Sequence, residues 1–380
     1  MRILIIFPSF KNYSERLKLY CEMSNFSEVE NVIIFTRELH NDVNVKNFGN
    51  TKIFIIKDKF KFYFKIKNII KKEINNEKDI IIINHFINLI YFGKDYKRTK
   101  NIKNITKFYF PNLIIFKRKR IKFSLRQKIL LLKRSLFDLL SILTSDVIIG
   151  NSKQIEELVN EVIKKIKIKR SIFTLPTPVD TELFHPMKIK KEENYYKLLF
   201  VGNLLERKGI FDLIEVAKLL RDANIRYVLY LVGRFNQRKV EKDVNSLISK
   251  YELINNIEFI GKLKQKELVD YYNNCDLFIF PSYYEGSPRV AKEAMACGLP
   301  VVAYDIAGIK LIDKGRNIIQ VVNVGNIDGL FRKIIELISD EKKLKDLSSK
   351  SVKHIRENFS IGIIAQEEVM LYQSLLNMKW

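Results

Sequence analysis

The feature that most limits how this chain can fold is a set of short apolar runs, many β-branched and without polar alternation, spaced by longer segments of helical period. In the N-terminal half the runs are Ile3–Phe7, Val32–Phe35, Ile53–Ile56, Ile80–Ile83, Lys107–Phe110, Val147–Gly150 and Ile172–Leu175. Strands of this kind suit burial on both faces, as in a parallel sheet covered by helices. The intervening segments supply the helices. Phe62, Ile66, Ile69, Ile70 and Ile74 recur at three- and four-residue spacing, and Asn151-Ser152 caps a helix over Gln154–Val162.

The C-terminal half restarts the pattern. Strands at Leu198–Val201, Tyr227–Val232, Ile257–Ile260, Leu277–Phe280 and Pro300–Tyr304 alternate with helices at Gly209–Leu220, Lys239–Tyr251, Gln265–Asn274 and Arg289–Cys297. The segment Asp328–Leu376 reads as mostly helical. Two successive βαβα series predict an α/β protein with two doubly wound sheets. Pro176, Pro178 and Pro186, followed by the polar stretch Lys188–Tyr196, fit neither helix interior nor central strand and mark the linker. The expected domains are therefore 1–187 and 188–355, with a helical tail over 356–380 that can return to the first domain. A chain of 380 residues is long enough for two separate cores.

The formal net charge is +24, which attracts polyanions such as nucleic acid, anionic lipid or phosphorylated substrates. Lys, Ile and Asn are used heavily throughout, so an AT-rich coding composition accounts for part of the excess equally well. Local clusters carry more information than the total. Cys21, Cys275 and Cys297 have no metal or redox spacing, and a reducing cytoplasm fits them. Met1 to Pro8 reads as a first strand rather than a signal peptide. The most apolar stretch, Ile129 to Leu143, is broken by Lys133, Arg134 and Asp138, so no membrane span is expected.

Chemistry concentrates around Glu285 and Glu293. The first follows a strand end at Leu277–Phe280 and the second lies in the first turns of the next helix. Between them a helix N-terminus presents backbone N–H groups, which favour an anion. Ligands of open α/β sheets bind at such carboxyl strand ends. A diphosphate on the N–H groups of Arg289 and Val290, with the two carboxylates on sugar and ribose hydroxyls, satisfies this spacing. A capped surface helix with solvated glutamates satisfies it too.

The run from Phe280 to Ala303 contains Glu285-Gly286-Ser287-Pro288-Arg289-Val290-Ala291-Lys292-Glu293, then Ala294-Met295-Ala296-Cys297-Gly298-Leu299-Pro300-Val301. It resembles the signature of the retaining glycosyltransferases of the GT4-type family (glycosyl transferases group 1, GT-B fold). Further segments similar to that family are Phe200–Gly209, Thr144–Ser152, Pro176–Pro186 and Ile257–Gly261. The resemblance covers about Thr144 to Val302, while the first 140 residues match only in layout.

The resemblance implies a GT-B fold, two Rossmann-like domains facing a central cleft, with the acceptor on the first domain and the donor on the second. It also implies residue roles. Glu285 matches the glutamate at the donor sugar and Glu293 the one on the ribose. Lys208, with Arg207 beside it, matches the diphosphate cations. Gly286, Ser287, Arg289 and Val290 lie where N–H groups meet sugar and phosphate. His85 resembles a histidine that some members keep near the reacting sugar, although an ordinary loop histidine fits the residues equally. Two departures bear on sugar preference. Asn203 replaces a frequent Arg, for which Arg207 can substitute. Pro288 replaces a frequent Gly and has no N–H to donate.

The resemblance further implies that no general base is needed, which leaves the site the task of stabilising charge on the leaving diphosphate. No Asp-x-Asp motif and no His/Cys cluster with ligand spacing occurs, so no metal and no cofactor is expected, the nucleotide-sugar being a substrate. Arg118, Lys119, Arg120 and Lys122 begin a basic, apolar-interleaved stretch over Lys117–Arg134 that suits an anionic membrane surface, or equally a core helix with a solvated basic face. No nucleic-acid-binding module is recognisable. The expectation is a retaining, metal-independent, hexosyltransferase-like enzyme. It takes a nucleotide-sugar donor and a glycan or lipid-linked acceptor in bacterial surface-glycan assembly, and is cytoplasmic and peripheral at the inner membrane face. A nucleotide-sugar epimerase on the same fold and a non-catalytic sugar-nucleotide-binding subunit are the other classes the residues allow.

Overall fold

In the computed structural model of the chain, the described residues are 1–6, 14–36, 50–55, 66, 79–84, 102–108, 135–136, 138–189 and 193–377. They form two compact units: Met1–Pro178 with Ile361–Trp380, and Val179–Ser360.

In the first unit, strands β1 (Arg2–Ile6), β2 (Asn31–Thr36), β3 (Thr51–Ile55), β4 (Ile80–Asn84), β5 (Ile102–Phe108), β6 (Val147–Gly150) and β7 (Ser171–Thr174) form one sheet. Its order is β3-β2-β1-β4-β5-β6-β7. Every neighbour pair is parallel. Helices α1 (Ser14–Glu22) and α2 (Lys153–Ile166) cover it, and Ser152 Oγ caps α2 by accepting from the Ile155 N–H. Ile3, Ile5, Val32, Ile34, Ile81, Ile83 and Ile105 are buried in a common core. Of the helical period expected between Phe62 and Ile74, only Ile66 lies within the described residues, where it is helical and buried.

Strand β5 begins at Ile102, ahead of the expected Lys107. Its Lys103, Asn104 and Lys107 disguise a strand that pairs with β4 on one side and β6 on the other. Lys107 is tolerated there because helix α10 (Ile361–Asn377) brings Glu368 to it. The two side chains are only 3% and 4% exposed. Tyr372 donates to the same carboxylate at 2.8 Å, and the Lys107 ammonium lies 4.9 Å from the Tyr20 ring centre. Burial pushes the Lys107 pKa below the ordinary lysine range, and the Glu368 carboxylate opposes that push.

The second unit repeats the plan. Strands β8 (Tyr196–Val201), β9 (Tyr227–Val232), β10 (Ile257–Gly261), β11 (Leu277–Phe280), β12 (Val301–Tyr304) and β13 (Gln320–Val322) stand in the order β10-β9-β8-β11-β12-β13. All are parallel. The helices are α3 (Ile210–Asp222), α4 (Arg238–Lys250), α5 (Gln265–Asn274), α6 (Arg289–Ala296), α7 (Ala307–Asp313), α8 (Ile327–Ile338) and α9 (Glu341–Phe359). Strand β13 and helix α7 are additions to the elements that the sequence pattern marks. The strand order reverses between β8 and β11, which makes their carboxyl ends the switch point of this sheet.

The unit boundaries fall outside the expected 188–355 on both sides. Val179 and Phe184, within the proline-rich run, are buried in the second core, so that unit starts at Val179. At the other end Ile355 and Phe359 are fully buried in the same core, and α9 runs on to Phe359.

Removing one member of the buried Lys107–Glu368 pair strands the other without compensation. Glu368→Gln is expected to cost about 3–5 kcal/mol in urea unfolding. The double change Lys107→Met/Glu368→Leu should recover much of that loss. A single variant as stable as the parent would show that the pair does not fasten α10 to the sheet.

Candidate functional site

Strands β8 and β11 are neighbours in register, Leu198 opposite Leu277 and Leu199 opposite Phe278. The loops that leave their carboxyl ends therefore start side by side. The loop after β8 tightens into a single helical turn at Glu206–Lys208 and passes through Gly209 at φ 75°, a left-handed conformation that favours glycine. A Cβ at Gly209 would stand 2.2 Å from the Pro281 carbonyl oxygen. That contact, with the Tyr283 N–H donating to the Arg207 carbonyl at 3.0 Å, locks the two loops together. On the far side Gly308, in α7, allows a similarly close approach. A Cβ there would lie 2.4 Å from the Glu285 carbonyl oxygen.

Three charged side chains meet on this frame. Lys208 Nζ pairs with Glu285 Oε1, and Arg207 Nη1 donates to the same oxygen at 3.2 Å. Lys208 is 13% exposed, Glu285 19% and Arg207 43%, so the cluster is half-buried and reaches solvent mainly through the arginine. Burial lowers the Lys208 pKa, the Glu285 carboxylate opposes this, and the Arg207 charge adds to it. The ammonium also lies 5.8 Å from the Phe280 ring centre.

Helix α6 begins directly beyond. Pro288 is its N-cap at φ −69°, where the absent N–H costs nothing. Arg289 and Val290 are the first helical residues, and no acidic side chain lies in that first turn. The first N–H groups of a helix have no partner within it, and the helix dipole adds positive potential there. Glu293, farther along α6, is buried and accepts from the Tyr272 hydroxyl at 3.1 Å. Burial and that carboxylate raise the Tyr272 pKa well above the ordinary tyrosine range. Ser287 is buried and accepts from the Lys292 ammonium at 3.2 Å, itself fully enclosed.

Of the residues singled out from the sequence, the structure gathers Arg207, Lys208 and Glu285 into one cluster, with Gly286, Ser287, Arg289 and Val290 on the same loop and helix start. Asn203 is exposed after β8. His85, Arg118, Lys119, Arg120 and Lys122 lie outside the described residues. Among the described residues no group of three His, Cys, Asp or Glu side chains gathers as metal ligands.

Sequence reasoning passes over Asp212. It sits in the first turn of α3, buried, and its carboxylate accepts from the hydroxyls of both Tyr283 and Tyr304. The two rings meet edge to face at 5.6 Å. Burial and the Asp212 carboxylate push the Tyr283 pKa up to about 12 and raise that of Tyr304. Asp212 thus ties α3 to the loop that carries Glu285. The usable signal is an acid at an otherwise apolar helix position, one turn after Lys208-Gly209.

Residues 181–354 match the family model for Glycosyl transferases group 1. The chain is 26% identical over 242 residues to the capsular polysaccharide biosynthesis glycosyltransferase CapM of Staphylococcus aureus, covering 61% of this chain and 62% of that one. It is 27% identical over 213 residues to N,N'-diacetylbacillosaminyl-diphospho-undecaprenol alpha-1,3-N-acetylgalactosaminyltransferase of Campylobacter jejuni, covering 52% and 53%. The matched region thus spans little more than half the length of each of these relatives. Among solved structures, Anabaena HepE in complex with UDP is similar at a TM-score of 0.68 and 16% identity, covering 98% of this chain and all of the other. The chain has the GT-B fold, and within its second unit residues 181–354 are similar to the group 1 glycosyltransferases.

The Asp212 brace is testable by stability. Asp212→Ala leaves the buried Tyr304 hydroxyl without its acceptor and should cost about 1–3 kcal/mol. Tyr283→Phe, at a more exposed ring, should cost no more than about 1.5 kcal/mol. Adding Tyr304→Phe to Asp212→Ala should restore part of the loss, because no buried hydroxyl is then stranded. Equal unfolding midpoints for Asp212→Ala and the parent would remove Asp212 from this role.

Proposed function

We propose that the protein transfers a sugar, with retention of anomeric configuration, from a nucleotide-sugar to a glycan or lipid-linked acceptor in bacterial surface-glycan assembly. The observation that carries this reading is the convergence of Arg207, Lys208 and Glu285 at the carboxyl ends of β8 and β11, beside the start of α6. Support comes from the capsular and lipid-linked names of the two relatives and from the UDP in the HepE complex.

In this reading Lys208 and Arg207 take the donor diphosphate, with the first N–H groups of α6 at Arg289 and Val290. Charge that develops on the departing phosphate meets fixed cations and dipoles, which need no reorganisation during the reaction. Glu285 orients the sugar and favours positive charge at its anomeric carbon. Glu293 accepts from ribose hydroxyls, with Tyr272 fixing its carboxylate. The cations are side chains, so neither metal nor cofactor takes part.

Among the described residues no helix is long and apolar enough to cross a membrane. Access to a lipid-linked acceptor then falls to a peripheral surface, and the basic stretch Lys117–Lys128 supplies the charge for it in the sequence.

Transfer from a panel of radiolabelled nucleotide-sugars to a membrane extract tests the reading. Turnover with one donor should survive excess EDTA, and the product linkage should keep the donor's anomeric configuration. Lys208→Ala should lower kcat/KM roughly 10- to 150-fold, as expected for loss of a charge-assisted contact. Activity abolished by chelation and restored by magnesium, or an unaffected Lys208→Ala, would defeat the proposed chemistry.

Binding to vesicles addresses the membrane. Retention should rise with anionic lipid and fall with salt, and replacing Arg118, Lys119 and Arg120 with Gln should release the protein with its fold intact. Equal retention on neutral and anionic vesicles would count against a basic docking surface.

A further inference from the structure

We infer that Glu285 competes with the donor diphosphate for Lys208 and Arg207, and thereby discriminates the sugar-bearing donor from the nucleoside diphosphate left after transfer. The inference rests on the proposal that these two cations bind the diphosphate.

Both cations meet one oxygen of one carboxylate: Lys208 Nζ and Arg207 Nη1 converge on Glu285 Oε1. A phosphate oxygen that takes the same N–H groups must displace the carboxylate from them. The backbone of Glu285 has little room to retreat. Its carbonyl is packed against Gly308, and Tyr283, two residues before it, is held by its N–H on the Arg207 carbonyl and its hydroxyl on Asp212. The carboxylate can leave the cations by side-chain rotation, while its negative charge stays near the phosphates. At 19% exposure, water screens that charge only in part.

The consequence differs for the two ligands. A donor carries sugar hydroxyls that give the displaced carboxylate new hydrogen-bond partners. The spent nucleoside diphosphate carries none and adds a further negative charge, so it bears the repulsion without the compensation. Glu285 therefore lowers affinity for product more than for donor, which favours product release, a step that often limits turnover.

Isothermal titration calorimetry on the full chain decides the matter, with UDP, GDP, inorganic pyrophosphate and the matching UDP- and GDP-sugars as probes. The gain from Glu285→Gln should be larger for the nucleoside diphosphate than for its sugar-bearing form, an equal gain for both overturning the inference. Lys208→Ala should bind the preferred nucleoside diphosphate more weakly than the parent. Glu285→Gln, which keeps the shape and removes the charge, should bind it more tightly by roughly three- to tenfold. In the Lys208→Ala background the gain from Glu285→Gln should shrink, because contact competition needs the cation. Glu285→Asp, with the charge on a shorter arm, should fall between parent and Gln and serves if the Gln variant does not fold. Unchanged or weaker binding by Glu285→Gln, or an equal gain in both backgrounds, would overturn the inference while leaving the diphosphate reading intact. A parent chain that binds none of the probes, or a Lys208→Ala variant at parental affinity, would overturn that reading and the inference with it.

Discussion

The contact on which the Arg207–Lys208–Glu285 cluster depends is the approach of Gly209 to the carbonyl of Pro281. Two parallel strands that are neighbours in space, yet separated by two others in the chain, release their loops at the same edge of the sheet. Those loops could diverge. They do not, because a residue without a Cβ lets one backbone rest on the other, and the Tyr283–Arg207 hydrogen bond holds them there. Lys208 and Glu285 come from distant points of the chain, and it is this backbone junction that sets them opposite each other. Asp212 and Gly308 then fix the same loop from two further sides.

The chain uses lysine–glutamate pairs in two ways, and burial decides between them. Lys107 and Glu368 are almost fully enclosed, with Tyr372 adding a further hydrogen bond. Such a pair specifies where a helix docks and has little freedom to exchange partners. Lys208 and Glu285 are more exposed, and Arg207 brings a third charge that is nearly half in solvent. A cluster of that kind can trade one anion for another.

Much of this architecture is legible in the sequence because its strands are apolar runs with no polar alternation. Val147–Gly150, Tyr227–Val232 and Leu277–Phe280 have the bounds that their composition suggests. The elements that are not legible lack that signal. Strand β5 carries two lysines and an asparagine, one of them neutralised by a residue far along the chain. Strand β13 is short and half-exposed at a sheet edge. Helix α7 opens without a side-chain cap and with a glycine whose purpose is contact with another loop. In the site, Glu285, Glu293, Lys208 and Arg207 can be picked out by spacing and resemblance. The Asp212–Tyr283–Tyr304 brace cannot, since its members are joined only by folding. Nor does spacing along a helix say that Glu293 is buried beneath a tyrosine hydroxyl.

The second unit is closed at its own seam. The Val179 N–H donates to the Phe359 carbonyl at 2.8 Å, and Val179 bridges to Ser360 in parallel. The backbone therefore begins and finishes this unit at one spot, and the rest of the chain simply continues on either side. In topological terms Val179–Ser360 is an insert, and inserts whose ends lie together are tolerated with little disturbance of the host fold. A cassette of this design can be exchanged or duplicated as a whole by recombination. One such module can then be paired with many different hosts.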